Sequence, residues 1–247
     1  MPAPPQTTQP RPDAETTRLL VVTAHPDDVD FGVAGSVATW TDAGIAVTYC
    51  ICTDGQAGGF DDAVNRADIP RIRRDEQQAA AAEVGVSDVR FLGHVDGELE
   101  PSPALVRDIS RVIRQVRPER LLTHSPERVW DRIGRSHPDH LAAGEATVRA
   151  VYPAARNPYA FPDLLADGLE PWTVAEMWLM AHPETNHAVD ITATFDRKIA
   201  AILAHTSQHP DPSGLRPRMR EFLNATAARH KLEADRLAEE FFVVATA

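Results

Sequence analysis

Two short segments, far apart in the chain, carry the side chains best suited to chemistry. His25-Pro26-Asp27-Asp28 follows the apolar run Leu19-Leu20-Val21-Val22, and His137-Pro138-Asp139-His140 opens an alanine-rich stretch. Together they offer carboxylate oxygens and imidazole nitrogens, a ligand set suited to zinc or another first-row divalent metal. Two imidazoles and one carboxylate would fill three positions on zinc and leave a fourth for water. A closed four-ligand site builds structure, whereas an open position does chemistry.

The elements that must position these segments alternate. Leu19–Thr23, Ile45–Cys52, Val89–Leu92 and Arg120–Thr123 are short, mostly continuous apolar runs, as in parallel strands buried on both faces. Between them, Arg71–Val84 is rich in helix formers and followed by Gly85. In Ala104–Val116, Leu105, Ile109, Val112, Ile113 and Val116 make one apolar stripe that Pro118 stops. The alternation predicts an α/β fold: a Rossmann-like, mostly parallel sheet flanked by helices, in a single domain over 18–247. Residues 1–17, with five prolines among polar side chains, read as a disordered leader. The proline-broken segment 152–172 reads as an irregular connection of the kind that often forms lids or specificity elements. Val174–Met180 and Ala188–Ile191 then read as strands and Phe195–Ala204 as a helix. A proline-rich turn around Pro210–Pro217 precedes an expected long terminal helix ending near Phe241.

His25 falls where the first strand should end, and open α/β sheets bind ligands beyond the carboxyl ends of their strands. Gly32 and Gly35 follow without forming a G-x-G-x-x-G fingerprint, and the carboxylates there would repel a pyrophosphate. In the second segment Pro138 suits a first helical turn, and His137 and His140, three apart, share a helix face. An ordinary capped helix start would explain either segment alone. The pair, one beyond a strand end and one at a helix start, argues for a metal site.

With these motifs the chain resembles the PIG-L/LmbE-like metal-dependent deacetylases, which remove N-acetyl groups from N-acetylglucosamine-type substrates. The resemblance rests on Ala24-His25-Pro26-Asp27-Asp28 and His137-Pro138-Asp139-His140. It is supported by Thr53-Asp54-Gly55-Gln56-Ala57-Gly58, Arg73-Arg74-Asp75-Glu76, Leu92-Gly93 with Asp96-Gly97, and Lys198 with His205-Thr206-Ser207-Gln208. It implies that His25, Asp28 and His140 bind zinc, with Fe(II) or another divalent metal tolerated by the same ligands. It implies Asp27 as general base, His137 as acid or oxyanion stabiliser, Asp139 orienting His137, and Arg73 as a substrate-binding residue. Asp96 could accept a hydrogen bond from a sugar hydroxyl, with a plain Asp-Gly turn as the alternative. The chemistry asks for the same roles: zinc lowers the pKa of bound water towards about 7, a free carboxylate takes its proton, and an imidazolium opposite stabilises the oxyanion and protonates the amine. The chain departs from the family pattern at Val29, at Gln56 where relatives commonly have Glu, and at Arg135 where some carry a tyrosine.

Composition narrows the partners. A formal charge of −11 and a pI near 5.3 argue against nucleic acid or anionic membrane as the main partner. No apolar stretch approaches the roughly 20 residues of a membrane helix. Cys50 and Cys52 are the only cysteines, too few for a disulfide framework, and read as buried reduced thiols on one strand face. The expected protein is cytoplasmic and acts on a small N-acetylated amino sugar or conjugate, with homo-oligomerisation left open. Competing readings are a thiol-conjugate amidase of the same family, a catalytically silent metal-containing ligand-binding protein, and a metal-assisted phosphoesterase. Asp27 and His137 favour an enzyme, because a binding module has no need of an unligated base beside its metal.

Overall fold

The computed structural model describes residues 9–59, 61, 63–209 and 211–247. Strand β1 (Arg18–Thr23) leads into α1 (Asp28–Asp42), followed by β2 (Ala46–Thr53), α2 (Ile69–Glu83), β3 (Asp88–His94), α3 (Pro103–Val116), β4 (Arg120–His124) and α4 (Pro138–Arg149). The short helix α5 (Pro162–Ala166), β5 (Glu176–Met180), β6 (His187–Asp190), α6 (Phe195–Leu203), α7 (Leu215–Arg229) and β7 (Ala238–Ala245) complete the α-helices and strands among the described residues, which short 3-10 and π turns connect. The sheet order is β3-β2-β1-β4-β5-β7-β6. Strands β3 to β5 in that order are parallel neighbours, and β7 runs antiparallel to both β5 and β6.

The strands are apolar throughout because both faces are covered. Leu19 and Val21 join Trp40, Tyr49 and Val84 in one core, under α1, α2 and α6, while Leu20 and Val22 join Leu105, Ile109 and Ala143 in the other, under α3 and α4. Cys50 and Cys52 share that second face, unpaired and buried. Helix α3 forms as its sequence predicts: the Ser102 hydroxyl caps Leu105 N–H, Pro103 fits the first turn, and the chain leaves through Arg117 at φ 55 before Pro118.

Two expectations are corrected. The long terminal helix ending near Phe241 stops at Arg229; Lys231 and Asp235 adopt positive φ, and the chain returns as β7. Phe241 and Val243 alternate with Phe242 across the two cores, a pleated pattern that aromatic and β-branched residues suit. The turn expected at Pro210–Pro217 falls partly outside the described residues, at Pro210. The 152–172 connection is no lid over the strand ends. The Arg114 guanidinium donates to the carbonyls of Ala154, Ala155, Asn157, Ala160 and Leu169, and Trp172 Nε1 donates to Pro118 O just before β4. It therefore packs at the opposite end of the sheet from His25.

Of the expected disordered leader, residues 1–8 lie outside the described residues, and the remainder is tied to the sheet. Arg120, with no exposed surface, donates to Asp13 Oδ1 (2.7 Å), Arg11 O (2.7 Å) and Glu176 Oε1 (2.5 Å), and its guanidinium lies 4.3 Å from the Trp178 ring centroid. No helix among the described residues is long and apolar enough to cross a membrane. Replacing Arg120 by Met leaves Glu176 buried beside no cation, and removing one partner of a buried pair typically costs about 3–5 kcal/mol. Urea unfolding should show that loss, and Glu176→Leu added to Arg120→Met should recover part of it.

Candidate active site

The strand order reverses between β1 and β4, and the crevice opened there is where an open α/β sheet binds ligands. The loop leaving β1 is held by β2: Thr53 N and Thr53 Oγ1 both donate to Ala24 O. This carries His25 to the crevice, and α1 begins at once with Asp28, whose Oδ2 accepts the N–H of His25 at 2.8 Å. His124 is the last residue of β4, and His140 comes from the first turn of α4.

All three imidazoles meet the one carboxylate. Asp28 Oδ1 lies 2.9 Å from His140 Nε2, and Oδ2 lies 3.2 Å from His124 Nε2 and 3.3 Å from His25 Nδ1. The rings of His124 and His140 stack at 4.1 Å. Gly144, one turn beyond His140, allows this approach: a Cβ there would fall 2.4 Å from His124 O. His25 Nε2 faces two more carboxylates, Asp139 Oδ2 and Asp96 Oδ1, each at 3.1 Å. Overlapping donor sets result: His25, His137 and His140; Asp28, His124 and His140; His25, Asp96 and Asp139.

Asp27 stands apart from these sets, held by backbone and side chain together. Its φ of 83° is in the left-handed region, which costs a non-glycine residue about 1–2 kcal/mol. Arg73 Nη2 bridges Pro26 O (2.6 Å) and Asp27 Oδ2 (3.0 Å), and Gln77 Oε1 accepts the Asp27 N–H. Gln77 in turn donates to Asp30 Oδ2, which also meets His205 Nε2 at 2.8 Å. Behind this layer the buried Lys198 ammonium donates to Asp30 O, Phe31 O and Glu239 Oε1, while Glu239 accepts from the N–H groups of Gly35 and Ser36.

The PIG-L family model, described as GlcNAc-PI de-N-acetylase, matches residues 20–151, a span that includes both motifs. The chain belongs to the PIG-L family. Diacetylchitobiose deacetylase of Thermococcus kodakarensis is 31% identical over 200 residues, covering 81% of this chain and 73% of that protein. A protein of Bacillus cereus described as a probable N-acetyl-alpha-D-glucosaminyl L-malate deacetylase 2 is 34% identical over 197 residues, covering 77% and 83%. The solved structure of N,N'-diacetylchitobiose deacetylase from Pyrococcus horikoshii superposes with a TM-score of 0.87 at 27% identity, covering 95% of this chain and 86% of that one.

The PIG-L site here departs from three expectations about contacts. The Asp139 carboxylate does not orient His137. It turns into the protein, 1% exposed, accepting from Gly97 N at 2.7 Å and facing His25 Nε2, while the backbone N–H of Asp139 donates to His137 Nδ1 at 3.2 Å. His137 is thus the side-chain cap of α4, and a ring accepting at Nδ1 carries its proton on Nε2. An imidazolium would have to break that cap. Burial, then the neighbouring His25 and His140, also lower the affinity of His137 for a second proton. Arg73, expected to bind substrate, is 4% exposed; its Nη1 donates to Gly55 O and its Nη2 to Pro26 O and Asp27 Oδ2, while its Nε has no protein partner among the described residues. Asp96 is committed to His25 and to Ala57 N.

Burial, then repulsion from Asp28, raises Asp27 to about 6 despite Arg73. Burial lowers His124 to about 4. Burial would lower His25 as well, but Asp28 and Asp96 outweigh it and push it up to about 11. Three carboxylates, Asp28, Asp96 and Asp139, thus surround His25 and favour positive charge there. A divalent cation fits this donor set, taking the place of protons as metal binding generally does. Two cavities adjoin the cluster. A polar one of about 250 Å³ is lined by His25, Asp27, Arg73, Asp96, His137 and Gln208. A second, of about 240 Å³, lies beyond Asp28, His124 and His140.

Sequence reasoning missed Gln77, Asp30 and Gly144. The signal for Gln77 was present: Arg73, Glu76 and Gln77 fall at i, i+3 and i+4 on the buried face of α2, where unpaired polar groups are costly. For Gly144 a test follows. Alanine is the better helix former by about 1 kcal/mol, yet overpacking against His124 O should cost about 1–3 kcal/mol. Gly144→Ala is therefore expected to lower the urea midpoint, where helix propensity alone would raise it.

Proposed function

We propose that the chain is a divalent-metal-dependent amide hydrolase that removes the N-acetyl group of an N-acetylglucosamine-type sugar or conjugate. The observation that carries this reading is the pairing of a metal-competent cluster with a separately held carboxylate, Asp27, in the polar cavity of a PIG-L chain. The relatives described as diacetylchitobiose and N-acetylglucosaminyl-malate deacetylases supply the substrate class. Acidic net charge and two unpaired buried thiols suit a cytoplasmic enzyme acting on a small molecule.

His25, Asp28 and His140 would hold the cation, with His124 supporting Asp28 and His140. Asp96 and Asp139 would fix the far nitrogen of His25, as carboxylates commonly do for ligating imidazoles. Zinc is the first assignment, and the imidazole-carboxylate set also admits Fe(II). When bound, the cation supplies Lewis acidity for the amide carbonyl and acidity for water.

The chain's own residues do the rest. Asp27, kept off the cluster by its left-handed backbone and by Arg73, takes the proton of the attacking water. His137 offers its Nε2–H to the oxygen that becomes negative, with Nδ1 held by the α4 cap. The proton on Asp27 passes to the departing nitrogen, so one carboxylate serves as base and then as acid. The pKa near 6 suits both tasks close to neutral pH.

Amine release from N,N'-diacetylchitobiose and related N-acetylglucosamine conjugates tests the reading. Chelation should abolish release and added zinc or iron(II) should restore it; persistence in the chelated protein would refute metal dependence. Asp27→Asn keeps the shape and the left-handed conformation, so metal and fold should persist while kcat falls about 10²–10⁴-fold. His137→Ala should also retain metal and lose about 10²–10³-fold in kcat, the scale of one oxyanion donor.

Metal retention separates ligands from supports. Elemental analysis after dialysis should show His140→Ala nearly empty. Asp139→Asn touches no ligand oxygen but removes one of the two carboxylates that hold His25 Nε2, and should weaken affinity about 10–100-fold. Undiminished metal in His140→Ala would overturn the ligand assignment.

A further inference from the structure

The second cavity shares Asp28, His124 and His140 with the cluster but contains neither Asp27 nor His137. Beyond the cluster its walls are largely apolar: Phe31 from α1, Met180 from the end of β5, and Phe222 and Leu223 from α7. The acids that border it are already satisfied, Glu239 by Lys198 and Glu240 by Arg229 and His230, while the Arg135 guanidinium and Thr226 add a polar margin to the otherwise apolar wall. It offers an apolar group a place to dock directly beside the reacting centre.

The chemistry says which part of the substrate faces it. In amide hydrolysis the water oxygen bonds to the acyl carbon, the C–N bond breaks, and the water proton travels through Asp27 to the nitrogen. The products are a free amine and a carboxylic acid, which loses its remaining proton to solvent to become the carboxylate. The amine must lie within reach of Asp27, in the cavity that also presents Arg73, Asp96 and Gln208 and is polar enough for sugar hydroxyls. The substituent on the acyl carbon leaves on a different bond from the nitrogen, and the second cavity, lined by Asp28, His124 and His140 and otherwise largely apolar, is the apolar space that adjoins the cluster.

We propose that this cavity is an acyl pocket, and that the chain accepts straight N-acyl groups longer than acetyl, of about four to six carbons, on an amino-sugar substrate. The proposal rests on the deacylase reading above. A volume of about 240 Å³ holds about eight groups the size of a water's share of liquid, about 30 Å³, where the methyl of acetyl needs one.

Two measurements test it together. Calorimetric binding of acetate, butyrate and hexanoate to the metal-loaded protein reads the pocket without turnover. Amine release from N-acetyl, N-butyryl and N-hexanoyl forms of one glucosamine glycoside reads it in catalysis. Burial of a methylene is worth at most about fourfold in affinity, so hexanoate should bind at least about tenfold more tightly than acetate. The N-hexanoyl substrate should match or exceed N-acetyl in kcat/KM. Phe222→Ala should reduce the hexanoate-to-acetate ratio by about threefold or more, as should Phe31→Ala. Both side chains are partly exposed, at 44% and 38%, so truncation spares the core. Turnover of N-acetyl alone, with equal binding of acetate and hexanoate, would overturn the acyl pocket and leave the deacetylase reading intact. Sensitivity of Phe222→Ala to aglycone length instead of acyl length would overturn it in favour of an aglycone site. Silence from every substrate would overturn the deacylase reading and the pocket with it.

Discussion

One carboxylate, Asp28, accepts contacts from histidines on three separate pieces of chain: the loop after β1, the end of β4 and the start of α4. Each arrives by a different device. Thr53 pins the β1 loop, parallel pairing with β1 sets the height of His124, and the missing side chain of Gly144 brings α4 close. A buried carboxylate is costly unless matched, so this convergence constrains all three elements at once. The site and the packing of β1 against β4 are therefore one problem with one solution.

Around that centre the protein separates charge from charge by backbone geometry. Asp27 and Asp28 are adjacent in sequence yet serve different cavities, because the left-handed turn at Asp27 sends its side chain to Arg73 while Asp28 starts the helix. Gln77 and Asp30 continue that division into the core, and His205 closes it. Such strain persists only where the surroundings over-determine it, and here the hydrogen bonds to Pro26, Asp27 and Gly55 do so.

Much of this was legible in the sequence for a physical reason: doubly buried strands must be apolar along their length, and motifs at strand ends and helix starts have a known place in such sheets. The two His-Pro-Asp segments gave the centre of the site, and the alternation gave the parallel part of the sheet. What was not legible depended on partners distant in sequence. Residues 238–241 looked like the end of a charged helix, and only the gap between β5 and β6 makes 238–245 a strand. The role of Asp139 was misread because sequence proximity to His137 suggested a side-chain contact, whereas the helix start gives that partner a backbone N–H instead. The leader's prolines hid two acceptors, Asp13 and Arg11 O, that the buried Arg120 requires.

The clamp formed by Lys198 and Glu239 has a consequence for how the molecule is made. Carbonyls and N–H groups in the first half of α1, from Asp30 to Ser36, are satisfied by side chains from α6 and β7. A chain emerging at about 5–20 residues per second exposes α1 on the order of tens of seconds before Glu239 exists. Until then the nascent chain can hold its parallel strands but lacks the clamp behind Asp28. The histidine-carboxylate cluster thus gains this backing only when β7 slots between β5 and β6, although no residue of that strand belongs to the cluster itself.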